Sequence, residues 1–122
     1  MQQTMDLLEG VHMPEDVGQM TDLEKMHIPF ISCPDTVKAG EPFDCTVHVG
    51  EYMTHPNDTS HFIQFIDLYL DENYIARSDF QTTKSNPKVT FNLTLKHGGR
   101  LRAYQNCNLH GVWKWEKIIE VL

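Results

Sequence analysis

Two stretches of the chain alternate apolar and polar residues one for one, FDCTVHV (43–49) and KVTFNLTL (88–95), and a long apolar run, HFIQFIDLYL (61–70), lies between them. Clusters of Gly, Pro, Asn and Asp punctuate the rest. These observations predict an all-β protein, because a period of two marks a half-buried strand and such clusters are turn chemistry. In the first stretch Phe43, Cys45, Val47 and Val49 share one face, and Asp44, Thr46 and His48 the other. In the second, Val89, Phe91, Leu93 and Leu95 oppose Thr90, Asn92 and Thr94. YIARSDF (74–80), LRAYQN (101–106), VWKWEKIIEVL (112–122) and IPFIS (28–32) add further strands, with KAGEP, LDEN, KSNP and KHGGR as turns. Strands of this length and spacing are expected to form a seven-stranded immunoglobulin-like antiparallel β-sandwich.

Ahead of the strands, residues 1–20 carry Gly10, Pro14 and Gly18 too close together for a helix of ordinary length, although MDLLEG suits a single turn. They are expected to be an irregular N-terminal extension packed on the domain or on a neighbouring subunit, leaving 21–122 as one domain. TDLEKMHIP (21–29) opens with Thr21 and, three residues on, Glu24, the pattern of a capping box, and it closes on Pro29. A short helical turn is expected there, with Glu24 able to serve as its cap.

A chain of 122 residues can bury an ordinary core without staples. With 40% hydrophobic and 22% charged residues it is neither disordered nor a membrane protein in composition. No apolar run approaches the roughly 20 residues of a spanning helix. The first ten residues lack the basic and apolar regions of a secretion signal, so a soluble, cytoplasmic protein with no membrane association is expected. The net charge of -7 argues against nucleic acid, since no basic stripe is present to neutralise phosphates. An anionic substrate would need local positive charge to overcome that field. Cys33, Cys45 and Cys107 allow at most one disulfide; in a reducing cytosol all three are expected as free thiols, with Cys33 and Cys45 as small buried apolar groups.

Seven histidines are spread over the chain. His48 takes the polar phase of its strand, His97 lies in a Gly-rich turn and His12 in the leader, so these three are expected to face solvent. The others lie at strand ends and in loops. His55 and His61 bracket PNDTS, whose residues fix φ or hydrogen-bond their own backbone and so can fold both rings towards one point. His27 precedes Pro29 by two residues, and His110 follows Cys107 by three in the turn CNLHG. By itself that turn could be a metal half-site, half of a nucleophile–base pair, or a buried thiol beside a solvated ring. Together these residues offer four imidazoles and one thiolate, more donors than tetrahedral zinc takes and too many for the trigonal site of blue copper. Such a set suits iron, and five ligands on an octahedral ion leave one position open for a substrate.

EKMHIP (24–29), HPNDTSHFIQFIDLYL (55–70) and CNLHGVW (107–113) occur in that order and resemble the motifs of the superoxide reductases, the neelaredoxin and desulfoferrodoxin family. The chain lacks the Cys-x-x-Cys leader that holds a further iron in desulfoferrodoxins and so resembles the one-iron neelaredoxin class. The resemblance implies the same seven-stranded sandwich and one iron per chain, with His27, His55, His61 and His110 around it and Cys107 as axial ligand opposite the open position. It implies reduction of superoxide to hydrogen peroxide, a rubredoxin-like external electron donor and, as is frequent in the family, a homotetramer. A ferrous ion held by neutral imidazoles and one thiolate keeps a net positive charge that draws superoxide to the vacant face of an acidic protein.

In the family the Glu of Glu-Lys-His binds ferric iron as a sixth ligand, and the Lys attracts the anion and organises proton delivery. Carried over, this implies Glu24 as a catalytic metal ligand and Lys25 as a catalytic residue. Met26 departs from the pattern: it stands between Lys25 and His27 and moves both residues one position from the ligand. The Cys-x-x-His turn is also expected to aim the N–H groups of Leu109 and His110 at the sulfur. Alternatives are a cupredoxin-like electron carrier or a non-catalytic metal-binding β-sandwich module. The first usually adds a Met soon after its second His, whereas no Met follows Met53. A Cys107–His110 hydrolase lacks an orienting Asn or Asp and a recognisable oxyanion hole.

Overall fold

The computed structural model describes residues 10–122; the turn expected at MDLLEG lies, apart from Gly10, outside the described residues. Seven strands carry the fold: β2 (Pro29–Ser32), β4 (Phe43–Val49), β5 (Ile63–Leu70), β6 (Asn73–Asp79), β7 (Lys88–Leu93), β8 (Gly99–Cys107) and β9 (Gly111–Val121). Strands β2, β4 and β7 form one antiparallel sheet in that order, and β9, β8, β5 and β6 form the other. This is the expected immunoglobulin-like sandwich of antiparallel strands. The predicted phases hold: Cys45, Val47 and Val49 of β4 are buried, whereas Asp44, Thr46 and His48 are not. They meet Ile66 and Leu68 of β5, Leu101 and Ala103 of β8 and Ile119 of β9 in the core between the sheets.

Two short strands lie beyond the expected seven: β1 (Val11–His12) and β3 (Thr36–Val37). Both pair with β9 in parallel, Val11 opposite Val112 and Thr36 opposite Glu120. Neither is long enough to show a period. They lie along the edge of β9 that β8 leaves open, one near each end, and so blunt a free edge. Part of the leader thus joins the sheet, followed by a 3-10 turn at Val17–Gln19.

Helix α1 (Asp22–His27) forms as expected, with both halves of the capping box in place. Thr21 Oγ1 accepts from the Glu24 N–H at 3.1 Å, and Glu24 Oε1 accepts from the Thr21 N–H at 2.8 Å. Only His27 of this helix is buried, so α1 serves chiefly to insert one ring into the end of the sandwich. No helix among the described residues is long and apolar enough to cross a membrane.

Candidate metal centre

Three loops and the helix converge at one end of the sandwich, and local chemistry explains the approach of each. The loop between β4 and β5 is folded by Asp58, whose Oδ1 accepts from the Ser60 N–H at 3.0 Å, the Ser60 hydroxyl at 2.8 Å and the His61 N–H at 2.9 Å. That cluster turns the chain back so that His55 and His61 face each other, their ring centroids 4.5 Å apart. Gly50, at φ +101, lets the loop start tightly: a Cβ there would sit 3.0 Å from the His55 nitrogen. Asn57 ties the same loop to the segment before β7, accepting from the Thr83 N–H at 2.9 Å and donating to the Ser85 carbonyl at 3.1 Å.

CNLHG is the hairpin turn from β8 to β9, closed by Gly111 at φ +78. Asn108 fastens it to the histidine loop: its N–H and Oδ1 pair with the Phe62 carbonyl and N–H at 3.2 and 2.8 Å, and its Nδ2 donates to the Ser60 carbonyl at 2.9 Å. A register shift between Ile63 and Phe65 in the β5–β8 pairing marks the same end, where Ile63 opposes Cys107. Bulges of this kind re-aim side chains near sites.

The result is a cluster of donors. His27, His55, His61 and Cys107 each present a ligand atom within 4.8 Å of the others. His110 lies beside them, its ring centroid 4.9 Å from that of His27 and 5.1 Å from that of His61. Trp113 backs the group: it stacks on His27 at 5.0 Å, and its Nε1 donates to the His110 carbonyl at 3.2 Å. Cys107 is 1% exposed, His27 0% and His55 5%, whereas His61 and His110 are partly exposed.

The hydrogen bonds fix what these rings can do. His27 Nδ1 lies 2.7 Å from the Leu23 carbonyl and His55 Nδ1 2.6 Å from the Pro56 carbonyl. A carbonyl only accepts, so both Nδ1 atoms carry the hydrogen and both Nε2 atoms are bare. Yet His27 Nε2 and His55 Nε2 face each other at 3.2 Å, and His55 Nε2 lies 3.6 Å from Cys107 Sγ. Two lone pairs so close repel unless a cation lies between them. His61 Nε2 is buried with no hydrogen-bond partner among the described residues. Protonation does not relieve the conflict: burial, and then the neighbouring rings, pull His27 and His55 from 6.5 down to about 4, against the carbonyl hydrogen bonds that act the other way. His61 is lowered too, by burial and by His110. Neutral imidazoles with anchored Nδ1–H groups and a buried thiol fit a transition-metal ion, since ligating histidines characteristically give their other nitrogen to a carbonyl.

Glu24 and Lys25 are half-buried on α1, a turn or less before His27. The Glu24 carboxylate is engaged at the helix N-terminus. Among the described residues Cys107 Sγ has its polar contact with His55 Nε2, and neither the Leu109 nor the His110 N–H donates to it, contrary to expectation. Asn108 and Trp113, both inside the motif CNLHGVW, support the site, and so does Gln105, for which the sequence carried no local signal.

Fold and site together define a β-sandwich with a buried histidine–cysteine centre suited to a metal ion. The desulfoferrodoxin family profile matches residues 19–116, and the chain belongs to that family. A Methanocaldococcus jannaschii protein provisionally described as a superoxide reductase is 44% identical over 102 residues, covering 81% of this chain and 86% of that one. The neelaredoxin of Megalodesulfovibrio gigas is 32% identical over 123 residues, covering 85% and 95%. The structure of the Ignicoccus hospitalis superoxide reductase (neelaredoxin) superposes with a TM-score of 0.82 at 35% identity, covering 93% of this chain and 97% of that one.

Proposed function

We propose that this chain is a superoxide reductase of the one-iron neelaredoxin class, combining superoxide with one electron and two protons to give hydrogen peroxide and no oxygen. The metal is a single iron held by His27, His55, His61, His110 and Cys107. Bound there, iron supplies the one-electron step by cycling between ferrous and ferric states. The observation that carries the reading is the convergence of bare Nε2 atoms on a buried sulfur, His27 to His55 at 3.2 Å and His55 to Cys107 at 3.6 Å.

The residues of the chain prepare that step. The Leu23 and Pro56 carbonyls hold His27 and His55 in the tautomer that leaves Nε2 free. Burial of Cys107 keeps solvent from its sulfur. His61 and His110, the partly exposed rings, mark the side from which a small anion enters. Lys25 supplies positive charge near that entrance and helps deliver protons, opposing the overall charge of -7. Glu24, which caps α1, would be the residue able to hold the oxidised metal as a further ligand. The electron comes from a rubredoxin-like donor at the exposed edge of the site, in a homotetramer in the cytoplasm.

Two measurements on the purified protein test this: its metal content, and the gas and peroxide formed when superoxide meets the reduced form. One iron per chain, growth of the oxidised site's visible absorption as superoxide consumes the reduced form, and peroxide without oxygen are expected. Zinc or copper in the site, or oxygen released alongside peroxide as in dismutation, would overturn it.

A further inference from the structure

The two cysteines outside the metal centre are neighbours. Strands β2 and β4 pair antiparallel from Pro29 opposite Val49 to Ser32 opposite Thr46. One more step of that register sets Cys33, at the bend that ends β2, opposite Cys45 in β4. Both take the inward phase: Cys45 is wholly buried in the core, and Cys33 packs against that core while partly exposed. Opposite residues of an antiparallel pair have Cα atoms about 4.5 or 5.5 Å apart, within the span of a disulfide. Both are free thiols here.

Their surroundings differ from those of inert core thiols. Lys117 holds the inward phase of β9, between Trp115 and Ile119, at the rim of the sandwich where apolar residues otherwise stand. Its Nζ is anchored by Asp35 at 2.7 Å and lies within electrostatic reach of both sulfurs. The neighbouring Cys45 and, after it, the lysine's attraction lower the Cys33 pKa below that of an ordinary thiol, against the opposing effect of burial, while Cys33 and burial raise that of Cys45. A partly exposed sulfur of lowered pKa paired across the strands with a buried one is the arrangement of an attacking and a resolving cysteine.

We propose that Cys33 and Cys45 form a redox-active thiol pair that a peroxide oxidises to a disulfide. The Cys33 thiolate attacks one oxygen of hydrogen peroxide; the O–O bond breaks, and the departing oxygen takes a proton and leaves as water. Cys33 is then a sulfenic acid. The Cys45 sulfur, giving up its proton, attacks the Cys33 sulfur and expels a second water. Two thiols thus lose two electrons and two protons, and one peroxide becomes two waters. The inference rests on the proposed function only for the source of the oxidant: hydrogen peroxide would be made at the head of β2, roughly 13 Å of strand from Cys33. The pair would intercept it there.

The test uses added hydrogen peroxide and so does not depend on superoxide chemistry. The full chain, as isolated with its metal, is treated with a small excess of peroxide, quenched with catalase, alkylated, digested without reductant and analysed by mass spectrometry. A linkage between the peptides holding Cys33 and Cys45, with Cys107 unlinked and the thiols restored by dithiothreitol, is expected. In Cys45→Ala, dimedone should label Cys33. Retention of all three thiols under peroxide that fully oxidises a glutathione control, linkage through Cys107, or dimedone labelling confined to Cys107 would overturn it. Failure of the superoxide assay with formation of this disulfide would reject the proposed function and leave the pair standing.

Discussion

The side-chain amide of Gln105, wholly buried on β8, donates to the main-chain carbonyl of His27 at 2.7 Å. It joins the middle of the larger sheet to the last residue of α1, so the helix that presents His27 is tied to the core at the residue that matters. Gln105 Oε1 has no partner among the described residues. A polar side chain held in the core at that expense is explained by the bond it makes.

Gln105→Leu keeps the volume and removes the donor, leaving the His27 carbonyl buried and unpaired. The expected loss is about 1–3 kcal/mol in urea unfolding of the metal-free protein. Faster release of the metal to a chelator should accompany it. A variant with wild-type stability and wild-type metal retention would show that the amide does not hold α1.

Acid should weaken the metal-free fold by a definite route. Burial depresses His27 and His55 in the folded state from 6.5 to about 4. Below pH 6.5 the unfolded chain therefore binds protons that the folded one refuses. The stabilisation is complete above 6.5 and is lost as pH falls through about 4, by on the order of 3 kcal/mol per ring. Thermal melts of metal-free protein across that window should show a steadily falling Tm, and bound metal should raise the Tm where the rings stay neutral. A level Tm across the window is the contrary result.

The two uses of Glu24 can be separated. Glu24→Gln keeps a side chain able to accept from the Thr21 N–H, so stability should change by less than about 0.5 kcal/mol. It removes the anionic oxygen, and the visible spectrum of the oxidised protein should shift. Thr21→Ala does the reverse: it costs about 1 kcal/mol through the lost cap and leaves that spectrum in place. Identical oxidised spectra for Glu24→Gln and wild type would confine Glu24 to the capping box seen here.

Lys25→Gln should slow capture of superoxide roughly three- to tenfold and flatten its dependence on ionic strength, since a screened cation loses its pull as salt rises. Pulse radiolysis reads both. An unchanged rate and an unchanged salt slope would make Lys25 a solvated residue of α1.

Much of the fold could be read locally. Alternation in FDCTVHV marked β4 from end to end, and Thr21 with Glu24 marked the start of α1. Both are signals between residues a few positions apart, where chain geometry alone decides who is neighbour to whom. The parallel pairings of β1 and β3 escaped notice because two residues carry no period. His12 was set aside with the leader, yet its ring lies 4.9 Å from that of Trp113, because β1 lies beside β9.

The site divides along the same line. Residue types and their order already named a set of imidazoles and one thiolate as donors, since ligand chemistry belongs to the side chain itself. Their meeting depended on which sheet faces buried each other and on which loops could then be stapled together. Asn108 binding the histidine loop, Gln105 holding His27 and Cys33 lying beside Cys45 are contacts between distant segments. No periodicity encodes these contacts, because they arise only when burial of the two sheets has set the strands in register.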